Sequence, residues 1–156
     1  MIKVQSEPLN AGEEINTFLT SNPNSGGIAT FIGQVRDFQE QGSGESASVA
    51  ALELEHYPGM TEKELERISA EAQKRWTLDA VLVIHRHGRM SPGDTIVLVC
   101  TASTHRGDAF SACEFIMDWL KTQAPFWKRE HSGTDSTWVD ARESDGTRAK
   151  RWEKVD

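Results

Sequence analysis

Leu120-Lys121-Thr122-Gln123-Ala124-Pro125-Phe126-Trp127-Lys128-Arg129-Glu130 holds a helix end and a strand start around one proline. Proline cannot continue a helix, and it pushes the residue before it toward extended geometry. Lys121 therefore closes a helix, and residues 126–130 leave it as an extended segment. The two lysines sit on different elements and can still converge. Such a pair suits an anionic ligand with its reacting centre between two amines. A solvated helix end accounts for Lys121 equally well, because a lysine near a helix C-terminus favours the macrodipole.

The pattern on either side of this stretch gives the rest of the fold. Upstream, Phe110, Cys113, Ile116, Met117 and Leu120 mark the buried face of a third helix that Ser103 or Thr104 caps. Residues 95–101 are apolar enough for a central strand, and Ser91-Pro92-Gly93-Asp94 is a turn before it. Residues 80–87 form another strand. Thr61 and Glu64 make a capping box for a helix with Leu65, Ile68 and Ala72 inward, ending near Trp76. Before the Pro58-Gly59 turn, residues 50–56 alternate, with Leu52 and Leu54 on one face and Glu53 and Glu55 on the other. Residues 37–48 carry almost no apolar side chain and read as a mobile loop. Residues 28–35 are a strand, 21–27 a loop, and 2–5 a short strand. Asn10 and Glu13 start a first helix whose apolar face holds Ile15, Phe18 and Leu19. Downstream come a Ser132-Gly133 turn, a last strand near Thr137-Trp138-Val139, and a charged tail over residues 140–156, irregular or helical.

Tight turns such as 91–94 join antiparallel neighbours, whereas parallel strands need crossovers. The order of elements therefore predicts an α+β fold: one domain, a largely antiparallel sheet and about three helices. A chain of 156 residues is long enough for a proper core. With 37% hydrophobic and 26% charged residues it is an ordinary globule. Its formal charge of −7 argues against nucleic acid as a general partner. No apolar run approaches a membrane span, and Met1-Ile2-Lys3-Val4 opens no signal peptide, which points to the cytoplasm. Cys100 and Cys113 are then expected as reduced core thiols.

Thr104-His105-Arg106 stands at the start of the third helix, where free N–H groups and the dipole favour an anion. A capped helix with a solvated arginine is the other reading. If that helix runs to Lys121 its ends lie about 25 Å apart, too far for one small ligand. A symmetric dimer would bring the start of one copy's helix to the end of the other's. Arg36 ends a strand at a polar loop, a common place for ligand contacts, and Arg142 has similar status. His85 and His87 share a strand face, but two histidines fall short of a zinc set. Neither cysteine has a basic sequence neighbour to activate it, and no nucleophile elbow, P-loop or dinucleotide fingerprint is present.

Several blocks together resemble the catalytic (large) subunit of molybdopterin synthase. They are His56-Tyr57-Pro58-Gly59-Met60-Thr61-Glu62, Val83-Ile84-His85-Arg86 with Pro92-Gly93-Asp94, Phe115-Ile116-Met117-Asp118, the opening stretch, and Trp138-Val139-Asp140-Ala141-Arg142-Glu143-Ser144-Asp145. The resemblance runs nearly the whole length, in order. It implies a hammerhead-like α+β fold and an enzyme that inserts two sulfurs into cyclic pyranopterin monophosphate, giving the dithiolene of molybdopterin. Sulfur would arrive as a thiocarboxylate on the C-terminal Gly-Gly of a small ubiquitin-like subunit. Two large subunits would form a homodimer with a small subunit at each end, a heterotetramer whose sites draw on both large subunits. The family's lysines fall on Lys121 and Lys128, with Lys121 at the chemistry as base, shuttle or positioning group. Its substrate contacts fall on Arg36, His105, Arg106 and Arg142, on Gln34 and Val35 beside Arg36, and on Arg129 and Glu130. The partner's tail would run past Phe126 between the lysines. Sulfur transfer of this kind needs no metal or other cofactor. A non-catalytic scaffold for a ubiquitin-like partner and a small-molecule-binding regulator are the readings from other classes.

Overall fold

The computed structural model describes residues 1–36, 51–132, 135–139 and 143–152. The 37–48 loop, the Gly133 end of the 132–133 turn, Arg142 and the tail beyond 152 lie outside them. Two four-stranded sheets carry the chain. In the first, β1 (Ile2–Gln5), β4 (Ala80–Arg86), β6 (Thr95–Ser103) and β2 (Gly27–Gln34) stand in the order β1-β4-β6-β2. Only β1 runs parallel to its neighbour among the described pairs. The central strands are apolar over residues 80–84 and 96–100 because both faces are covered. Val81, Val83, Val97 and Val99 face one core, and Leu82, Ile84, Leu98 and Cys100 face the other.

Helix α1 (Ala11–Ser21) covers the second of those faces with Ile15 and Phe18. Its Asn10 cap is as expected, Oδ1 accepting the Glu13 N–H at 3.3 Å. Leu19, placed on the buried face by the sequence, is exposed, so the buried stripe is narrower than its apolar residues suggest. Helices α2 (Met60–Arg75) and α3 (Arg106–Gln123) cover the other face, with Leu65, Ile68 and Ala72 inward from α2 as expected.

Both caps on this layer differ from expectation. Gly59, at φ 80°, precedes α2, and Glu62 Oε2 accepts its N–H at 2.6 Å. Glu64 instead holds Arg67. The positive φ that Gly59 tolerates starts the helix earlier than the Thr61–Glu64 pattern implied, which turns Thr61 inward. At α3 the N-cap is His105 with no side-chain bond, because the Ser103 hydroxyl lies a step back, accepting the His105 N–H at 3.2 Å. Phe110 was expected inside and is 65% exposed.

The second sheet holds β5 (Gly88–Met90), β3 (Ala51–His56), β7 (Phe126–Ser132) and β8 (Asp135–Val139), in that order. The 91–94 turn forms, with the Asp94 N–H on Ser91 O at 3.0 Å. It joins β5 of one sheet to β6 of the other, not neighbouring strands. The left-handed φ values at Gly88 and Gly93 let the chain step out of one sheet and into the next. Leu52, Leu54 and Met90 pack with Val35 and Ile96 in a third, small core. A fourth helix, α4 (Glu143–Lys150), gives the tail the helical form the sequence allowed. Among the described residues no helix is long and apolar enough to cross a membrane.

Candidate functional site

Lys121 stands exposed in the last turn of α3, and the helix stops two residues on, at Gln123. Ala124 is extended, as the residue before a proline must be. The Phe126 N–H then reaches back to Ala124 O at 2.8 Å, closing a three-residue turn on Pro125. Thr61 braces that turn from α2. Its hydroxyl donates to Pro125 O at 3.4 Å and accepts the Tyr57 N–H at 3.1 Å. From the other side the Phe126 ring stacks on His85, centroids 3.9 Å apart and planes 20° from parallel. Lys128 follows on β7, half-buried and opposite Leu54 of β3. The two lysines thus flank one tight turn held by three elements.

The strand end that carries Arg36 reaches the same neighbourhood. Val35 is buried against Leu52 and Leu54, and Leu54 is the register partner of Lys128. The Val35 N–H bonds to Asp94 O at 2.9 Å and the Gly93 N–H to Val35 O at 2.8 Å. Val35 therefore belongs to the core with its side chain and anchors Arg36 with its backbone. Arg36 and Gln34 are exposed beside it, Gln34 Nε2 donating to Gly93 O at 3.3 Å. Arg129 points away from Lys128 by strand alternation and lies 3.3 Å from Glu55. Glu130 falls opposite Leu52 in register.

His105 and Arg106 are exposed at the far end of α3, about 22 Å from Lys121 along the axis. Within one chain they do not join the lysines. Gly26 and Gly27, which the sequence places in the 21–27 loop, position this end. A Cβ on Gly26 would stand 2.3 Å from Thr104 O, and one on Gly27 3.0 Å from Arg106 Cα. Only glycines let the start of β2 approach the helix start so closely. The paired glycines ahead of a strand were the available signal.

His85 and His87 separate. His85 is buried under Phe126, whereas His87 lies past the end of β4 with its ring 4.0 Å from that of His56. Burial pushes His85 down to about 4, so its imidazole is neutral. Burial and then the neighbouring His56 lower His87 as well. Both cysteines are free and buried, and burial pushes the Cys113 thiol up to about 11, far from an activated nucleophile. The chemistry open to this place is therefore that of amines around an apolar turn. They can hold an anion, pair with a carboxylate or thiocarboxylate tail, and move protons.

Residues 4–123 match the family described as MoaE protein. A molybdopterin synthase catalytic subunit from Ralstonia nicotianae is 52% identical over 151 residues, covering 97% of this chain and 83% of that protein. Among solved structures, a molybdopterin biosynthesis MoaE protein from Burkholderia ambifaria superposes with TM-score 0.81 at 47% identity, covering 99% of both chains. A chain from a complex of subunits 1 and 2 of molybdopterin-converting factor from Helicobacter pylori shares the fold, with TM-score 0.75 at 19% identity over 90% of this chain and 91% of that one.

Proposed function

This chain belongs to the MoaE protein family, and on that premise we propose how it works as the catalytic subunit of a molybdopterin synthase. The enzyme is a sulfurtransferase of molybdenum cofactor biosynthesis. It takes cyclic pyranopterin monophosphate and inserts two sulfurs, each carried in as the thiocarboxylate of a small subunit's C-terminal Gly-Gly. Each carrier leaves as an ordinary carboxylate. The observation that carries this reading is the braced Pro125 turn with Lys121 and Lys128 on its flanks. Both substrates are anionic, and a chain of formal charge −7 places Lys121, Lys128 and Arg129 around this turn. Holding two reactants in one geometry removes much of the entropic barrier.

Lys121 stands at the reacting centre, and Lys128 holds substrate and the partner's tail, which passes Phe126. Arg36 and Arg142 grip the phosphate and the pterin, with Arg129 and Glu130 as further substrate contacts. His105 and Arg106 contact the substrate held at the lysines of a second copy. The length of α3 supports a homodimer with shared sites. Phe31 and Ile32 on the edge strand β2 and Phe110 on α3 are exposed apolar side chains that a second copy would cover. With one small subunit at each end the assembly is a heterotetramer, working in the cytoplasm. The Helicobacter pylori neighbour, itself in a two-subunit complex, is consistent with such a partner.

The deciding experiment mixes this chain with a thiocarboxylated small subunit and the cyclic precursor. Dithiolene product is the expected result. Tight binding of the partner without product would favour a scaffold and overturn the reading.

A further inference from the structure

His85 is a buried imidazole for which the proposed reaction has no use. It lies near the end of β4, a central strand, and its Nδ1 faces Arg86 O at 2.9 Å. A carbonyl only accepts, so Nδ1 carries the proton and the ring orientation is fixed. Its face meets the Phe126 ring in near-parallel contact. Phe126 opens β7 and pairs in register with His56 of β3, whose ring meets His87. Four rings thus gather where the two sheets meet, at the residue where the chain turns from Lys121 toward Lys128. The titratable groups around them are His56 and His87, with Glu62 of α2 4.0 Å from His56 and Glu7 near His87. No carboxylate pairs with His85 among the contacts of the described residues. Without such a partner, a buried and neutral ring is a poor proton carrier and a good spacer.

The geometry points to His85 as a positioning residue that seats Phe126, and through it the Lys128 strand, at the width the partner's Gly-Gly tail requires. This rests on the reading above, in which the tail passes Phe126. Thr61 fixes the turn at Pro125, but among the described residues His85 is the ring that stacks against the Phe126 ring face. Emptying position 85 leaves a space into which that ring can swing, because a cavity in a packed core invites collapse. The channel then loses its shape while the docking surface outside it is untouched.

The test compares His85→Ala and His85→Phe with the wild type. Steady-state kinetics use the thiocarboxylated partner, and calorimetry uses the partner with and without its two glycines. His85→Ala is expected to raise KM for the thiocarboxylated partner about tenfold and to weaken full-length partner binding, with affinity for the truncated partner unchanged. His85→Phe, which keeps the stack, is expected to stay within about threefold of wild type on all three readings. If His85→Ala does not fold, His85→Leu takes its place, with the same expected result. A hundredfold loss of kcat in His85→Phe would make the imidazole a proton carrier and overturn the proposal. Equal weakening of truncated and full-length partner would also overturn it, by making the effect one of general docking. A wild-type chain that makes no dithiolene defeats the sulfurtransferase reading instead, and the calorimetric comparison of tail-dependent binding still decides the role of His85.

Discussion

Arg151 lays its guanidinium on the carboxylate of Asp118, Nη2 to Oδ2 at 2.6 Å and Nε to the same oxygen at 3.2 Å. Asp118 is buried on α3, one turn before Lys121. The same oxygen accepts Trp152 Nε1 at 2.8 Å, and the Trp152 ring packs edge-on to Trp76 and Phe115. The tail is therefore latched to the helix whose end carries the lysine. Asp118→Ala leaves the indole N–H without its acceptor, whereas the half-exposed Arg151 can turn to Glu114 or water. A loss of about 1–3 kcal/mol in urea unfolding is expected, most of it from the half-buried indole. Trp152→Phe, which removes the donor but keeps the ring, should lose less. Equal losses would show that packing alone holds the tail.

The sequence revealed the elements of this fold better than their caps and junctions. The helix-to-strand change at Pro125, the α1 cap and the apolar central strands are local patterns, and each stands where local chemistry put it. The α2 cap was misread because two acidic residues, Glu62 and Glu64, both fit a box, and only the φ of Gly59 decides between them. The division into two sheets was not legible. It depends on where β5 pairs, and a strand of three residues carries too little periodicity to say. Of the proposed site, Lys121, Lys128 and Arg36 are marked by charge in odd places. Thr61, His85 and Gly26 are not, because each acts through a neighbour that only the fold supplies.

His85 makes stability depend on pH with a definite sign. Its folded-state value of about 4 lies below the ordinary 6.5, so the unfolded chain binds more protons between those values. The stabilisation is complete above about pH 6.5 and is lost as pH falls through about 4. The size is on the order of 3 kcal/mol. His85→Phe should flatten the fall in Tm over this window relative to wild type. Parallel curves for the two proteins would mean that His85 does not set the acid limit.

Gly26→Ala places a Cβ against the Thr104 carbonyl, a backbone atom that cannot move aside. The start of α3 must shift, and His105 and Arg106 with it. A destabilisation of about 1–3 kcal/mol is expected, as for overpacking elsewhere. Turnover should fall further than the folded fraction does. Gly107→Ala is the control, because its Cβ would meet nothing within 4 Å and alanine favours a helix. If both substitutions act alike, the close approach at Gly26 has no bearing on the site.

Lys121→Ala should keep the fold, since the side chain is exposed, and lose nearly all turnover. Retention of more than about a tenth of kcat, under about 1.4 kcal/mol of barrier, would remove it from the centre of the reaction. Lys128→Ala should weaken partner binding as well as rate. Shared sites add a sharper consequence. When His105→Ala and Lys121→Ala chains are mixed and allowed to exchange, half the dimers are mixed, and each holds one intact site. About a quarter of wild-type activity should return. No recovery would place each site within a single chain.

The partner's tail should be the catalytic anchor and not the whole of the binding. A Gly-Gly end is thin and lets backbone approach closely, which suits a narrow passage past Phe126. On the proposed reading its terminal charge is held by Lys121, exposed, and Lys128, half-buried, and salt should screen the exposed pair more than the buried contact. Apolar surface outside the passage should supply much of the remaining affinity. Tyr57 and Trp127, exposed with ring centroids 6.5 Å apart just beyond the Pro125 turn, offer such a surface. Binding should therefore fall only moderately between low and physiological salt. Removing the two glycines should abolish turnover and leave appreciable docking, which Trp127→Ala should then weaken further. Calorimetry on the truncated partner decides the matter, since complete loss of binding would make the tail the main anchor and leave the aromatic surface without a role.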